Sequence, residues 1–383
     1  MGKRFIIVLL ICLVSVSTLF AGGTGFVLDS FDTNGDVLIG FFPTYITSGS
    51  RFSMPSLIDG NSTDLLLITG GGYTQRQLWR DETGAVLNSY ADIAAVDADE
   101  DNRKFNVITG EWKVLFEQGL FWSEATDHDL LTIQLGYKGR YEQYQENVGA
   151  APNSAYFLDG TSTAYTEAED QLISNTLTGE IRLETVVSEK VTARGIDISI
   201  GADYAPLWML NELLGDGVDY LAAQATIEGY LPLMQIKNDS ETKSLFALYV
   251  ADRIRADYLQ GDSVPVYAQK TSSLGHKMRG FESFSYATSM NAVNNFDLRI
   301  TGPEIISGLF PRAAIFCDVG YYMGHYNNTP GNTAEGLLLS AGGEFAVSIM
   351  DFLNAGIRAN YAIQGDTLTT EPFSTDIFLV LHY

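Results

Sequence analysis

Apolar and polar side chains alternate along most of the chain from Thr63 to the C-terminus. In the stretch that begins at Leu131, apolar residues occupy nearly every second position, with Thr, Gln, Lys and Arg between them. Leu177–Glu184 and Ile196–Gly201 repeat the pattern. Successive side chains of an extended chain point to opposite faces, so each stretch predicts a β-strand with one apolar and one polar face.

Twelve such strands are predicted, and they are long. Thr63–Trp79 runs for 17 residues, whereas strands of soluble proteins average roughly five or six and a tilted strand crosses a bilayer in about 9–11. This length favours a membrane barrel, with its polar face toward the lumen, over a soluble β-sandwich. The other predicted strands are Lys104–Leu120, 131–142, 177–184, 196–201, Val218–Met234, Ser244–Leu259, Asn291–Thr301, Arg312–Met323, Leu337–Ile349, Ala355–Gln364 and Ser374–Tyr383.

The connections between the predicted strands alternate in length. Short turns follow Glu184 and Met234, whereas 81–103, 146–171 and 206–217 are longer. Outer-membrane barrels have short turns on the periplasmic side and long loops outside. The fold class predicted is therefore all-β, a transmembrane antiparallel β-barrel of the outer-membrane type with 12 to 16 strands.

The N-terminus has the pattern of an export signal. Lys3 and Arg4 precede an apolar core at Phe5–Leu13, and small or polar residues follow up to Ala21. We therefore predict a signal peptide over 1–21, an N-terminal segment or first strands over 22–62, and the barrel over 63–383. Within 22–62, Asp36–Ile46 is a candidate strand that contains a proline.

Composition excludes several classes of function. The formal charge is −24, and removal of Lys3 and Arg4 with the signal makes it −24 − 2 = −26, which argues against nucleic acid as a partner. Cys317 is then the only cysteine, so no internal disulfide is expected. The 20 Tyr, 21 Phe and 37 Gly are typical of a membrane barrel.

No catalytic, cofactor or metal site is predicted. The acidic run Asp97–Asp101 resembles the start of a calcium loop, but the turn glycine is missing and Ile108 stands where the bidentate glutamate is needed. The four histidines lack metal-ligand spacing, and no serine lies in a nucleophile-elbow pattern. We therefore expect no enzyme.

The last strand carries Ile377, Leu379, Leu381 and Tyr383 on one face. A terminal aromatic residue on an alternating strand resembles the signal by which the barrel-assembly machinery recognises outer-membrane proteins. That machinery and outer-membrane lipid are the expected partners for insertion. The alternative is an ordinary terminal strand of a β-protein.

From about Ala247 onward the sequence resembles the BamA/TamA superfamily of outer-membrane assembly and secretion barrels, the bacterial surface antigens. The order and spacing of several short motifs carry the resemblance. These are Tyr258–Pro265, Leu274–Gly275, Arg279–Phe281, Asn295–Arg299, Phe316–Gly320, Ser340–Gly343, Gly356–Tyr361 and Ile377–Tyr383.

The resemblance implies that one outer loop folds into the barrel and is clamped there by its arginine. By position, Arg279 of Arg279–Gly280–Phe281 would pair with Asp318 of Phe316–Gly320. Asp297, where the family more often has glutamate, would lie beside them. Alternation puts both aspartates on the lumen faces of their strands, and a guanidinium binds carboxylates bidentately. In a water-filled lumen the pair would serve position more than stability.

The family usually carries POTRA domains before its barrel, and we expect none here because the strand pattern leaves no room for one. Three functions stay open. The first is a barrel that inserts or translocates client proteins in the outer membrane of a diderm bacterium. The second is a passive porin, cation-leaning because Glu142, Glu180 and Glu184 face the lumen. The third is a structural or adhesive surface protein that acts through loops 81–103 and 146–171.

Overall fold

A computed structural model describes residues 26–27, 45–77, 104–145, 171–188, 192–213, 217–237, 244–265, 267–268, 274, 277–281, 288–306, 308–325, 335–349, 353–365 and 372–381. Nearly all of them lie in strands. The strands are β1 Phe26–Val27, β2 Tyr45–Ser53, β3 Thr63–Gln77, β4 Lys104–Ser123, β5 His128–Gln145, β6 Gln171–Glu184, β7 Val187–Ser188, β8 Ala193–Ala205, β9 Asp219–Lys237, β10 Ser244–Ser263, β11 Thr288–Thr301, β12 Leu309–His325, β13 Glu335–Ile349, β14 Leu353–Gln364 and β15 Phe373–Leu381.

These strands form one antiparallel wall in which each strand pairs with its neighbour in sequence. The two-residue β7 pairs only with β8, so β6 also pairs with β8, and the order otherwise follows the chain from β1 to β15. Within the described ranges no pairing joins β15 to β1 or β2. The wall is therefore continuous from β1 to β15, and these two strands are its edges.

Long and short connections fall at opposite ends of the wall. The connections after β3, β5 and β10, which are 78–103, 146–170 and 264–287, all lie at one end because the strands alternate in direction. The turns after β4, β9 and β13 lie at the other end and span 124–127, 238–243 and 350–352. This is the arrangement expected of an outer-membrane barrel.

The outer face of the wall is an apolar belt that runs across the strands. Paired residues of neighbouring strands point to the same side, and Ile198, Ile227 and Ile254 form one such row across β8, β9 and β10. Large apolar side chains such as Leu135 and Ile315 are exposed to more than half of their full area on this face. Hydrocarbon lipid covers such a surface in a membrane barrel.

The predicted fold class is confirmed, since the chain forms a long-stranded antiparallel wall of the outer-membrane type. The twelve predicted strands from Thr63 onward correspond to β3–β6 and β8–β15, with ends that differ by several residues. Of the candidate strand Asp36–Ile46, the last two residues lie in β2. Most of that candidate lies outside the described residues, as do 1–21, the loop candidate 81–103 and all of the loop candidate 146–171 except Gln171. Among those described, no helix is long and apolar enough to cross a membrane.

The two faces of β9 predict opposite responses to the same substitution. Ile227 lies in the outer apolar row, whereas Gln224 lies on the inner face opposite Asp257. We expect Ile227→Arg to destabilise the barrel by roughly 2–4 kcal/mol in lipid, because it places a charge near the middle of the hydrocarbon. Gln224→Arg should change the unfolding free energy little, since the side chain at this position is exposed on the polar inner face.

Urea unfolding of both variants in phospholipid vesicles measures this difference. Equal losses of stability in the two variants would mean that the faces are assigned wrongly.

Candidate functional site

The connection between β10 and β11 spans 264–287 and is here called the inner loop. Its described residues, 264–265, 267–268, 274 and 277–281, return to the inner face of the wall. Its residues Leu274, Met278 and Phe281 are buried in one apolar cluster. Val293 of β11, Leu338 of β13 and Ala362 of β14 complete the cluster, and Tyr322 packs against it. Removal of these side chains from water holds the second half of the inner loop against β11–β14.

Arg279 lies at the centre of this contact and faces two carboxylates of the wall. Its Nε donates to Oδ2 of Asp318 at 2.9 Å, and its Nη2 donates to Oδ1 of the same carboxylate. The backbone N–H of Arg279 also donates to Oδ2 of Asp318, at 3.0 Å. Nη2 lies 2.7 Å from Oδ1 of Asp297. The guanidinium is thus bound side-on by Asp318 and shared with Asp297.

Two further side chains complete the charge and packing of the site. The guanidinium carbon of Arg279 lies 3.8 Å from the ring centre of Phe316, in a cation–π contact. Arg299 on β11 donates to the other oxygen of Asp297 at 2.7 and 2.9 Å. Two arginines therefore face two aspartates, and the formal charge of the group is zero.

The site is drier than the sequence suggests. The side chain of Asp318 is fully buried, and those of Arg279 and Asp297 are 13% and 8% exposed. Burial by itself lowers the pKa of Arg279, but the hydrogen bonds and negative charges of Asp318 and Asp297 raise it above its ordinary value. Removal of one partner from a buried pair costs about 3–5 kcal/mol, so these residues hold the loop as well as orient it. The expectation of a water-filled site is wrong here.

Two glycines permit the close approach of loop and wall. Gly280 has a φ of +86°, a left-handed conformation that other residues adopt with strain. Gly320 on β12 lies beneath Met278, and a β-carbon at Gly320 would stand 2.2 Å from the Met278 sulfur. A side chain at Gly320 would therefore occupy the space that the loop fills.

A second ion pair, which the sequence did not predict, lies two residues before Arg279. Nζ of Lys277 donates to Oδ2 of Asp257 on β10 at 2.6 Å, and both side chains are less than a tenth exposed. Nδ2 of Asn295 donates to the Lys277 carbonyl at 3.0 Å. Alternation along β10 places Asp257 on the inner face, which was the available signal, but nothing in the sequence indicates that a loop lysine reaches it.

The first half of the inner loop contacts a different part of the wall. Val264 and Ala268 are buried with apolar side chains of β4, β6, β8, β9 and β10, and Tyr267 packs against this cluster. The guanidinium carbon of Arg140 on β5 lies 4.5 Å from the ring centre of Tyr267. Arg140 is itself paired with the fully buried Glu142 at 2.8 Å. The inner loop therefore joins two separate regions of the inner face, β4–β10 and β11–β14.

The residues proposed as an assembly signal contribute none of the contacts described for this site. Ile377, Leu379 and Leu381 are on β15, opposite Ile357, Ala355 and Leu353 of β14. Ile377 is 89% exposed on the outer face, and Tyr383 lies outside the described residues. Among the described residues, no group of three or more His, Cys, Asp or Glu is arranged to hold a metal ion.

The wall and its inner loop define a class, the outer-membrane β-barrel with a loop folded into its lumen. The structure is similar to that of BamA from Haemophilus ducreyi lacking POTRA domains 1–3, with a TM-score of 0.53 and 13% identity over 88% of this chain and 62% of that one. It is also similar to CdiB from Escherichia coli, with a TM-score of 0.50 and 8% identity over 88% of this chain and 53% of that one.

At the level of the fold, these likenesses confirm the resemblance to BamA-type barrels and the outer-membrane class. The chain spans less than two thirds of the length of either neighbour. Neither a protein-family model nor a curated protein matches the sequence.

The contact between Gly320 and Met278 predicts that a single added methyl group displaces the Met278 side chain and weakens the attachment of the loop. We expect Gly320→Ala to expose the Arg279–Gly280 bond to trypsin and to increase its cleavage several-fold, because the new β-carbon overlaps the Met278 sulfur. Mass spectrometry of the folded protein in detergent measures the cut. Gly343→Ala on β13 is the matched control, since a β-carbon there meets only a carbonyl oxygen at 3.6 Å. Equal cleavage in both variants would contradict the packing described.

The burial of Lys277 predicts that its amino group titrates closer to neutral pH than an ordinary lysine. Burial lowers the pKa of Lys277 to about 8, although the charge of Asp257 opposes the change. We expect NMR of reductively ¹³C-methylated protein to give one lysine midpoint near this value, and Asp257→Asn to lower it further. Because the folded-state pKa lies below the unfolded one, this group makes the fold more stable as pH rises from about 8 to 10.5. A midpoint near 10.5 would contradict the burial of Lys277.

Proposed function

We propose that this protein belongs to the BamA/TamA superfamily and inserts or translocates proteins at the outer membrane. The observation that carries the proposal is the buried group of Arg279, Asp318 and Asp297 inside a wall of BamA-type fold. The motif residues from which the resemblance was inferred, Arg279–Gly280–Phe281 and Phe316–Gly320, are in contact across about forty residues of chain.

The inner loop would allow strand pairing at the edges of the wall to change while the rest of the barrel stays folded. Strands β1 and β15 are the edges of the wall and do not pair with each other in the described residues. In a closed barrel these two edges would meet at a seam. The inner loop binds β4–β10 at one end and β11–β14 at the other. A loop attached to both regions keeps their inner faces at a fixed distance, so that strand pairing at the seam can change without loss of the barrel. We propose this as the role of the Arg279 clamp.

The described residues favour this reading over a passive porin. A porin needs an open lumen lined by polar side chains. Here Met278, Phe281 and Tyr267 of the inner loop occupy space against the inner face. The acidic side chains expected to select cations are partly used in internal pairs, since Glu142 binds Arg140.

Arg279→Ala tests the proposal in a reconstituted system. Purified barrel in lipid vesicles is given a urea-unfolded eight-stranded outer-membrane barrel as client, and the folded fraction is followed by its shifted mobility in unheated gels. We expect the parent to accelerate folding over empty vesicles. Arg279→Ala should lower that acceleration roughly tenfold or more, because about 3–5 kcal/mol of loop attachment is lost.

Arg253→Ala is the matched control. Arg253 is also a lumen arginine bound to a carboxylate, Glu228, but its side chain is 55% exposed. Among the described residues it makes no hydrogen bond or ion pair with the inner loop. It should leave the acceleration unchanged. A parent barrel that gives no acceleration would overturn the insertion function. Acceleration retained in Arg279→Ala would overturn only the clamp.

Single-channel recording on the same vesicles distinguishes the insertion function from that of a passive porin. Closed or rarely open parent channels, with steady conductance in Arg279→Ala, are expected for a lumen closed by the inner loop. Steady cation-selective conductance in the parent would instead support the porin.

A further inference from the structure

A polar pair interrupts the apolar outer face at mid-height. Nδ2 of Asn294 on β11 donates to Oδ1 of Asp252 on β10 at 2.6 Å. Both side chains lie on the lipid-facing side, because Asp252 pairs with Phe296 and Asn294 pairs with Ile254 and Val319. Phe296, Ile254 and Val319 are all exposed apolar residues of the belt.

The pair lies near the middle of the hydrocarbon. Asn295, next to Asn294, is opposite Asp318 in the register, so the pair stands at the height of the Arg279 group on the other side of the wall. Along β10, Leu248 and Val250 precede Asp252 on the outer face, and Ile254 and Tyr258 follow it. In the described strands, Asp252 is the only carboxylate at mid-height on this face.

Lipid tails cannot satisfy these two side chains. Their mutual hydrogen bond uses one N–H of Asn294 and one oxygen of Asp252, and the described part of the chain offers neither another partner. The second N–H of Asn294 and the second oxygen of Asp252 then face hydrocarbon, where polar groups are unfavourable. Polar side chains in such places are typical of sites that meet a partner within the membrane.

The arrangement of the pair fits a second copy of the same chain. Two barrels in one membrane face each other across a two-fold axis along the membrane normal, and this rotation keeps every residue at its own height. Since Asp252 and Asn294 lie side by side on neighbouring strands, the rotation sets the Asp252 of each copy opposite the Asn294 of the other. Each free N–H then meets a free carboxylate oxygen, twice, as an isologous contact requires.

Small residues around the pair leave room for this approach. Gly229 on β9 is directly opposite Asp252, and no atom lies within 4 Å of the place its β-carbon would take. Ala256 and Ala292 flank the pair on β10 and β11 and face each other in the register. Small side chains allow close contact between proteins in membranes, where packing and hydrogen bonds drive association.

We propose that the outer face of β9–β11 is a homodimer interface within the outer membrane, joined by reciprocal Asp252–Asn294 hydrogen bonds. This proposal is independent of the proposed insertion function. The partner surface must present a carboxylate and a carboxamide at the same depth in the membrane, as a second copy of this chain does.

Cysteine cross-linking in native outer membranes tests the interface. Ile254→Cys is made in a Cys317→Ala background and treated with a short bis-maleimide, because Ile254 is opposite Asn294 and thus close to the proposed axis. We expect a product of twice the chain mass. Leu135→Cys on β5 is the matched control, since Leu135 is equally outward-facing but lies on another part of the wall. It should give no such product.

Two double variants of the pair test its role in the Ile254→Cys background. Asp252→Leu with Asn294→Leu should reduce the cross-linked product at least tenfold. The exchange Asp252→Asn with Asn294→Asp keeps the pair self-complementary and should restore the product. Gel mobility with and without heating shows that each variant is a folded barrel, so loss of the product through misfolding is recognised.

Two results would overturn the proposal. One is an Ile254→Cys barrel that gives only monomer or a product with another protein of different mass, which would assign the pair to lipid or to a different partner. The other is an equal yield of cross-linked dimer with the original Asp252–Asn294 pair and with the double leucine variant. That result would mean that the hydrogen bonds do not join the copies.

Discussion

A fully buried carboxylate is the constraint on which the inner half of this structure depends. Asp318 has no contact with solvent, and a charge removed from water needs a cation and hydrogen bonds. Arg279 supplies both, from a loop that has to leave the end of the barrel to reach it. Once Arg279 is in place, Met278 and Phe281 must lie on the inner face, and Lys277 is brought to Asp257.

On the outer face of the wall the solvent is lipid, and it determines which side chains that face carries. Hydrocarbon accepts the apolar belt, and strand pairing satisfies the backbone of the described strands except at the two edges of the wall. The inner face is polar where nothing covers it. Where the inner loop covers it, the wall also presents the apolar side chains Val293, Leu338 and Ala362, beside the aspartates that bind the loop. Apolar side chains on the inner face therefore indicate where the inner loop excludes water.

Departures from strict alternation therefore locate the contacts of the wall. Apolar residues on the inner face mark the place of the loop, and the polar pair Asp252–Asn294 on the outer face marks the proposed contact with a second barrel. Both departures lie at the same height, on either side of β10–β12. A carboxylate in lipid and a valine toward the lumen have the same cause, since each is suited to a protein surface and not to the solvent of its face.

The sequence by itself determined the class of fold, the twelve strands from Thr63 and which face each strand turns to lipid, because alternation with period two is a local property of an extended chain. Arg279, Asp297 and Asp318 were named through a resemblance in short motifs. Tertiary structure alone decided the rest. The burial of Asp318, the pair between Lys277 and Asp257, and the contact of Tyr267 with Arg140 join residues that are far apart in sequence. No periodicity records such distances, because the path of a loop across a lumen depends on the shape of the wall it crosses.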